Sequence, residues 1–384
     1  MYGFGLVLAI LTLPLILAAG ARTQPALWAA PRTLGLMLAT LLHGQTGLLG
    51  LQAWSLPALA VVGALVLILA VLWSGPARTR STRLPAPMHW PTLLAPEAVF
   101  LAAFLLAAWL VAYDAVLIGT ERMMDFAIYQ SVGQAIELPP VDPWFAGASL
   151  NYYWFGHHLA AMLSVPLRLP TEVGYNLALA YTFGLCAQLC FGVALRLGGG
   201  YRPALLACVL VMLAGNLHPL WHMLTGQGLA AFNYLAASRV LAHAITEFPL
   251  LSLLVGDLHA HYQALALLLM FILWLPPRAE RTTAATAVGI LLGNLALVAT
   301  ALANPWNLAA MLLIFLAVHW HKLTDWPWWS LLPALALLPW LWPVQGQGVS
   351  PAWLDAGRRS EMGPFLLMWG MPILLCAGLL DWRD

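Results

Sequence analysis

The longest polar interruption of this chain reads Glu-Arg-Met-Met-Asp-Phe at 121–126, Pro-Pro-Val-Asp-Pro-Trp-Phe at 139–145 and Asn-Tyr-Tyr-Trp-Phe-Gly-His-His at 151–158. This first polar segment (121–158) contains four of the fifteen acidic residues: Glu121, Asp125, Glu137 and Asp142. A second polar segment, Gly-Asp-Leu-His-Ala-His, occupies 256–261. Long apolar runs lie on both sides of each segment. We therefore expect the polar segments to be the places where the chain leaves its hydrophobic surroundings.

The composition indicates a membrane protein. Hydrophobic residues make up 62% of the chain and charged residues 8%, whereas soluble domains carry roughly 25% charged residues. Apolar runs near the ~20 residues needed to cross a bilayer recur from end to end. The predicted fold class is all-α, a polytopic transmembrane helical bundle. The net charge of +1 and the lack of a basic face exclude nucleic acid as an expected partner.

The cysteines and the N-terminus carry little functional information. Cys186, Cys190, Cys208 and Cys376 each lie inside an apolar run. Although Cys186 and Cys190 share a helix face, small buried hydrophobic residues are the favoured interpretation. Residues 1–19 lack a basic start, because Arg22 follows the apolar run. A first spanning helix is therefore expected here, with no cleavable signal.

About eleven membrane spans are predicted. They are 2–19, 33–53, 57–75, 96–117, 173–195, 203–222, 259–276, 283–302, 306–320, 328–343 and 364–381. We expect an N-terminal three-span region with a basic cytoplasmic loop at 1–95, followed by a membrane core at 96–384. The core would carry an outer acidic loop at 118–153, an interfacial helix at 154–168 and a second outer loop at 223–258.

The positions of Lys and Arg predict which side each loop faces, because cytoplasmic loops are enriched in basic residues. Residues 154–168 form a run that is short for a crossing and is interrupted by Pro166. If this run is a helix at or dipping into the outer interface, every basic cluster falls in the cytoplasm. These clusters comprise Arg22, Arg32, Arg78, Arg80, Arg83, Arg196, Arg202, Arg278, Arg281, Lys322 and Arg383.

With that topology the titratable residues collect on the outer side. The set comprises His157, His158, His218, His222, His243, His259, His261, Glu121, Asp125, Glu137, Asp142, Glu247, Asp257, Asp355 and Glu361. A passive anchor has no need for this asymmetry, so a site is expected on the extracytoplasmic side. Trp144, Tyr152, Tyr153 and Trp154 fit an interfacial aromatic belt. Stacking on a sugar or lipid is the alternative for these four.

Glu121 and Asp125 are the first candidate pair for chemistry. They are four residues apart, so they share a face if the helix that ends near residue 117 persists for one more turn. Two partly desolvated carboxylates could serve as a general base and a positioning group. The structural alternative is that they are solvated charges at a helix end, balanced in part by Arg122.

The remaining polar residues allow both functional and structural interpretations. Asp142 lies between prolines, where Asp commonly forms a turn. Asp257, His259 and His261 would line one side of an extended strand, whereas on a helix only Asp257 and His261 would share a face. Either geometry could bind a phosphate or a divalent cation such as Mg²⁺ or Mn²⁺.

Two further groups of polar residues lie inside predicted helices. Adjacent residues such as His157 and His158 cannot face the same way on a helix, so at most one is expected to enter a pocket. His43, Gln45 and Thr46 lie inside the second span, where a structural role is favoured.

Four motifs of this chain resemble those of the prokaryotic "YYY" membrane proteins. These motifs are Met-Asp-Phe at 124–126, the Pro-Val-Asp-Pro-Trp-Phe-Ala-Gly run at 140–147, Asn-Tyr-Tyr at 151–153 and Gly-Asp-Leu-His-Ala-His at 256–261. The resemblance covers residues 95–310, with Trp154 in place of the third tyrosine. That family in turn is similar to GT-C membrane glycosyltransferases, which take a sugar from a polyprenyl-phosphate carrier and invert the anomeric carbon. The resemblance implies a GT-C-like fold with Asp125 as the loop acid and Glu121 as a less direct match.

The sequence therefore predicts an enzyme of the prokaryotic plasma membrane. Asp125 and Glu121 are the predicted catalytic residues. The predicted substrate-binding residues are Asp142, Trp144, Tyr152, Tyr153, His157, His158, Asp257, His259 and His261. Asp257, His259 and His261 are also the possible metal ligands. Expected partners are a lipid-linked sugar donor, an acceptor lipid, glycan or protein, and membrane lipids. A transporter, a non-catalytic envelope scaffold subunit and a metal-dependent lipid-phosphate hydrolase stay open as alternatives.

Overall fold

The computed structural model describes residues 1–78, 90–119, 121–150, 154–198, 200–226, 232–242, 244–275, 284–319, 332 and 360–370. Helices dominate these regions, as predicted. They are α1 (Tyr2–Ala18), α2 (Pro31–Gly44), α3 (Leu56–Arg78), α4 (Trp90–Tyr113), α5 (Arg122–Gln134), α6 (Trp154–Ser164), α7 (Thr171–Arg196), α8 (Tyr201–Val209), α9 (His218–Leu224), α10 (Pro249–Val255), α11 (Ala260–Trp274), α12 (Ala284–Ala303), α13 (Asn307–His319) and α14 (362–370). Extended pairing in the described regions is limited to an isolated bridge between Val141 and Ser149.

Two of the described helices, α4 and α7, are long and apolar enough to cross a membrane on their own. A third crossing results if α8 and α9, with the residues between them, form one bent span. Shorter apolar helices occupy most other predicted spans, including α1, α11 and α13. The predicted span 328–343 lies outside the described residues, apart from residue 332. The number of eleven spans therefore stays a prediction.

Two predicted spans differ in shape from the expectation. The span at 33–53 ends as a helix at Gly44 and continues into a 3₁₀ turn at Thr46–Leu49, which closes at Gly50 with a φ of 67°. The span at 203–222 passes through a π-helical segment at Leu210–Ala214 and then bends by 72°. Gly215, with a φ of 62°, lies at this bend against the ring of Phe248. A left-handed residue of this kind breaks the helical hydrogen-bond ladder.

The predicted outer loop contains a helix of its own. The chain leaves α4 at Tyr113, turns through residues 114–119, and re-enters a helix at Arg122. Glu121 precedes the first residue of α5 and its carbonyl accepts from the Asp125 amide at 3.0 Å. Glu121 and Asp125 therefore share a helix face as predicted, but on a separate helix rather than on a continuation of α4.

Helix α6 confirms the predicted helix that begins at residue 154, with an end at Ser164 and a 3₁₀ turn at Val165–Leu167. Every residue of α6 is buried, because α2, α5, α7, α11 and α12 surround it. A helix lying flat on an interface would keep one exposed face. This helix instead forms an internal element of the bundle, and its depth relative to a bilayer stays a prediction.

The core is built by α7, which packs along α4 on one side and against α11 on the other. Small residues allow the close approach: a Cβ on Gly184 would lie 2.9 Å from the Phe100 ring. Helices α1, α2 and α3 pack together, and α2 also contacts α6. The hydrophobic core is continuous through both groups. The predicted boundary at residue 95 therefore does not separate two independent cores.

Arg32 lies elsewhere than the sequence suggested. It was expected in the link between the first two spans, but it belongs to the first turn of α2 and is 1% exposed. Its guanidinium pairs with Glu97 of α4, with Arg32 Nε donating to Glu97 Oε2 at 2.9 Å. The same group donates to the Tyr181 hydroxyl at 3.2 Å and lies over the rings of Tyr2 and Phe100. A buried ion pair of this kind persists because hydrogen bonds satisfy both charges.

Candidate functional site

The two polar segments meet in the fold. Asp125, in the first turn of α5, and Asp257, in the turn between α10 and α11, are both buried. Their carboxyl groups interact through a hydrogen bond. Within the described part of the chain, neither oxygen of Asp125 accepts from a conventional N–H or O–H donor. The two carboxyl groups therefore depend on each other, and each shifts the pKa of its neighbour.

Burial sets the protonation of this pair. Loss of solvent raises the pKa of Asp125 to about 7, and the nearby charges of Glu121 and Glu247 add to the effect, while the hydrogen bond from Asp257 opposes it. The pKa of Asp257 is raised to about 9. Loss of solvent is the largest cause, and the neighbouring Asp125 carboxyl group contributes the next largest part. Two adjacent buried carboxyl groups cannot both ionise at low cost. The pair therefore retains a proton near neutral pH.

His157 completes the inner layer of the site. Its Nε2 atom lies 3.4 Å from Oδ1 of Asp125, and both side chains are fully buried. Burial lowers the pKa of His157 to about 3, and the nearby Asp257 carboxyl group opposes this shift only in part. The imidazole is therefore neutral, and its contact with Asp125 is polar rather than an ion pair. We refer to Asp125, Asp257 and His157 as the inner cluster.

A more exposed layer, the rim, consists of Glu121, His259, His261 and Glu247, linked as a chain. Glu121 Oε2 lies 2.7 Å from His259 Nε2, the two Nδ1 atoms of the histidines are 2.9 Å apart, and His261 Nε2 is 2.9 Å from Glu247 Oε2. The side chains of Glu121 and His261 are 52% and 33% exposed. The rim is therefore the part of the site that solvent and ligands reach.

Three contacts along this chain require three protons. Burial lowers the pKa of His259 to about 4, so this imidazole is neutral and donates through Nε2 to Glu121. His259 Nδ1 must then accept from His261 Nδ1. The hydrogen bond from His261 lowers the pKa of Glu247. The chain of hydrogen bonds therefore runs from Glu247 through both imidazoles to Glu121.

Glu121 differs from Glu247 in the direction of its pKa shift. Burial raises the pKa of Glu121, and the charges of Asp257 and Glu247 raise it further. His261 and Arg239 lower it, by smaller amounts. Half of this side chain faces solvent, which screens such effects. Glu121 is nevertheless a more basic carboxylate than an isolated glutamate.

Arg122 and Tyr175 hold the two segments together. The Arg122 guanidinium donates to the carbonyl of Val255 at 3.0 Å, to that of Asp114 at 3.2 Å and to that of Val116. The Tyr175 hydroxyl of α7 donates to the Gly256 carbonyl at 3.1 Å and accepts from the Leu258 amide at 3.3 Å. The Arg122 charge therefore does not balance Glu121, as the sequence had suggested, but joins α5 to the turn that carries Asp257.

Other predicted site residues lie apart from these layers. Asp142 Oδ1 caps its own turn by accepting from the amides of Trp144 at 2.8 Å and Phe145 at 3.1 Å, and the Trp144 ring is exposed. His158 points away from His157 and contacts His43, with 2.7 Å between Nε2 and Nδ1. This pair packs on Trp54 and is structural, as favoured for His43. Tyr152 and Tyr153 lie outside the described residues.

Sequence reasoning missed two charged or polar contributors to the site. Arg239 is exposed and close enough to Glu121 and Glu247 to lower the pKa of both. Tyr175 lies within a predicted span, where its polarity had no evident purpose. A tyrosine on the apolar face of a spanning helix is a usable signal, since its hydroxyl needs a partner when buried. The position of Arg239 depends on the fold of the loop before α10 and gave no comparable signal.

The donor geometry bears on the predicted metal site. No three His, Cys, Asp or Glu side chains in the described regions are grouped so that they could hold a metal ion. Asp257 faces Asp125, while His259 and His261 are directed to Glu121 and Glu247. These three residues therefore do not fit a cation as they are arranged.

Comparison with known proteins identifies a family. The model of a family described as "Uncharacterized membrane protein (DUF2298)" matches residues 38–383. No curated protein and no solved structure matches the chain.

Proposed function

Because this chain belongs to that uncharacterized family of membrane proteins, membership assigns no activity, and we propose one from the site. The protein is a membrane glycosyltransferase that moves a sugar from a polyprenyl-phosphate carrier to an acceptor hydroxyl on the extracytoplasmic side. The observation that carries the proposal is the contact of Asp125 with Asp257, two acids from distant polar segments of an otherwise apolar chain. Site acids with separated pKa values are typical of proton-transfer catalysis.

Asp125 acts as the general base. The acceptor oxygen attacks the anomeric carbon, the bond from that carbon to the carrier phosphate breaks, and the acceptor proton passes to Asp125. With a pKa of about 7, Asp125 is near the value at which a base is most effective at neutral pH. Asp257 keeps its proton and donates to Asp125, which orients the carboxylate. Asp125 is fully buried here, so the rim must open when the acceptor binds.

Glu121 is the carboxylate that an acceptor meets first. It shares the α5 face with Asp125 and is half exposed. Its contact with His259 at 2.7 Å fixes the direction of the carboxylate. Glu121 therefore positions the acceptor hydroxyl, while the buried Asp125 removes the proton.

The carrier phosphate binds beside the rim. It gains negative charge as the sugar leaves, and a preorganised cation stabilises that charge. The exposed Arg239 guanidinium supplies positive charge next to Glu121 and Glu247. Asp257, expected from the sequence to bind the phosphate, is protonated and directed inward, so it supports the base instead. A lipid-linked donor accounts for a site at the end of an apolar bundle.

A proton-coupled transporter is the second candidate, and one observation favours it. A transporter requires ionisable groups deep among the helices. The buried Arg32–Glu97 pair between α2 and α4 is such a group. A transporter would move its substrate without breaking a covalent bond, so release of free carrier phosphate separates the two candidates.

The test is transfer by the purified protein in lipid nanodiscs. Polyprenyl phosphates bearing different radiolabelled sugars are the donors, and lipid extracts or cell-envelope glycans are the acceptors. Asp125→Asn should lower the rate at least ~100-fold, the usual contribution of a general base. Glu172→Gln is the matched control, because Glu172 is an exposed acid in the first turn of α7. A fully active Asp125→Asn protein would contradict the base assignment.

Hydrolase and scaffold functions give different results. A lipid-phosphate hydrolase would release labelled sugar into water without any acceptor. A non-catalytic scaffold subunit would complement a deletion strain equally well with or without Asp125→Asn and Asp257→Asn together. Loss of complementation by this pair in a protein that still inserts would support a site-dependent role.

A further inference from the structure

A cavity lies at the Arg32–Glu97 ion pair, apart from the inner cluster and the rim. Its volume is about 330 Å³, and α1, α4 and α7 contribute to its wall. Leu6, Ile10, Leu13, Leu93 and Leu94 supply apolar surface. Ile10 and Leu94 are more than half exposed on the outside of the bundle. The cavity is therefore an apolar pocket that opens sideways, with polar groups at its inner end.

The polar groups at the inner end are hydrogen-bond acceptors. The Glu97 carboxylate borders the cavity with 28% of its side chain exposed. Gln188, which is 2% exposed, also borders it, and its Oε1 atom has no hydrogen-bond partner among the described residues. The Arg32 donors are already directed to Glu97, to the Tyr181 hydroxyl and to the Tyr2 carbonyl. A ligand that donates hydrogen bonds would satisfy these two acceptors.

Arg32 and Glu97 neutralise each other within the protein, so a head group of either charge meets no free partner at this ion pair. The other cation of the lining, Arg22, is exposed. Glu97 lies seven residues after Trp90, where α4 begins, and Gln188 lies eight residues before Arg196, where α7 ends. At 1.5 Å per residue, both side chains are attached ~10–12 Å inside these helix ends. At that depth an unpaired acceptor is costly, since no solvent satisfies it. A hydroxyl that donates to Gln188 would remove this cost.

We propose that this cavity binds an uncharged amphiphile whose polar end carries hydroxyl groups, with its hydrocarbon chain leaving between Ile10 and Leu94. The hydroxyls donate to Gln188 Oε1 and Glu97, and the chain lies against α1 and α4. The site is independent of the transferase proposal, because none of its residues belongs to the inner cluster or the rim.

The test uses monooleoylglycerol as the probe and native mass spectrometry of the detergent-solubilised protein as the readout. One molecule should bind saturably per chain, and methyl oleate, which has no donor, should bind much more weakly. Gln188→Met keeps the side-chain length but removes the acceptor, so it should weaken binding about three- to tenfold, as expected for one hydrogen bond. Ile10→Trp should block the opening and abolish binding.

Control variants make each outcome decisive. Ile68→Trp changes an exposed residue of α3 outside the cavity and should bind the probe normally. Asp125→Asn should also bind normally, whether or not transfer fails. Melting temperatures confirm that Gln188→Met and Ile10→Trp fold. Equal binding of methyl oleate, preference for phosphatidic acid through the neighbouring Arg22, or no saturable binding would each overturn the proposal.

Discussion

At the scale of single residues, the site depends on how burial divides the protons. Asp125 and Asp257 are chemically identical, yet their pKa values are raised to about 7 and about 9. Desolvation acts on both, and the hydrogen bond between them lowers one value while it raises the other. The pair therefore retains a proton that either carboxyl group alone would release near neutral pH. The sequence identified both acids, but only the fold placed them side by side.

The raised pKa of Asp257 predicts a pH-dependent stability. A carboxyl group whose folded pKa exceeds its unfolded value contributes stability at low pH, and this contribution is lost as the pH rises from about 4 to about 9. The loss approaches ~1.4 kcal/mol per pH unit for each proton that only the folded state retains. Asp257→Asn removes this titration and should flatten the fall in melting temperature between pH 5 and pH 9. Tryptophan-fluorescence melting curves measure it. An unchanged slope would show that Asp257 ionises normally.

Arg239 is expected to act on the donor rather than on the chemical step. Its exposed guanidinium beside Glu121 and Glu247 is placed to hold a phosphate in both ground and transition states. Arg239→Ala should therefore raise KM for the lipid-linked donor about tenfold, with a smaller change in kcat. Arg202→Ala is the control, because Arg202 is an exposed arginine of α8. An equal rise in KM for both variants would mean that the loss of any positive charge weakens donor binding, and that Arg239 has no specific role.

At the scale of the elements, the turn between α10 and α11 is constrained on two sides. Gly256 ends α10 in the left-handed conformation with a φ of 70°. A Cβ at this position would lie 1.9 Å from the Arg122 guanidinium. Arg122 in turn is held by three backbone carbonyls. The glycine thus sets the distance between α5 and the turn that carries Asp257.

Two glycines with similar backbone conformation allow the role of the contact between Gly256 and Arg122 to be tested. Gly226 has a φ of 78° but open space around its Cα atom. Gly226→Ala should cost only the ~1–2 kcal/mol of left-handed strain. Gly256→Ala adds a clash with Arg122 and should lower the melting temperature further and abolish transfer. Similar losses in the two variants would mean that the contact with Arg122 is unimportant.

Local patterns predicted some elements better than others. The spacing of Glu121 and Asp125 correctly predicted a shared face, because helical periodicity is a local property. The break after Tyr113, which precedes α5, was missed, since it depends on Arg122 donating to the Asp114 carbonyl within the break and to the Val255 carbonyl of a distant turn. Helix α6 was predicted to begin at residue 154, and neighbouring helices bury all of its faces. Its interfacial position in the membrane stays a prediction.

At the scale of the whole molecule, the orientation in the membrane rests on the distribution of basic residues and makes a direct prediction. Trp144, an exposed residue of the first polar segment, should face outward, and Arg202 at the start of α8 should face the cytoplasm. Single cysteines at these positions, in a Cys376→Ser background, can be labelled with an impermeant maleimide. Trp144→Cys should react in intact cells and Arg202→Cys only after permeabilisation. The reverse pattern would place the site in the cytoplasm.

The native cysteines should not confuse this experiment. Cys186, Cys190 and Cys208 are buried in the structure, as the sequence predicted for small hydrophobic residues inside apolar runs. Burial keeps a thiol from reacting with a reagent that stays in water. Cys376 lies outside the described residues, which is why it is replaced.

The sequence by itself determined the class of the molecule: an apolar, helical membrane protein whose few polar residues gather in two segments. Composition and periodicity suffice for this, because both depend on the solvent and on residues a few positions apart. Tertiary structure alone decided which polar groups meet. Asp125 joins Asp257 and His157, His158 joins His43, and Arg32 joins Glu97. These contacts, and the pKa shifts that follow from them, arise from desolvation and packing between distant helices, which no local pattern encodes.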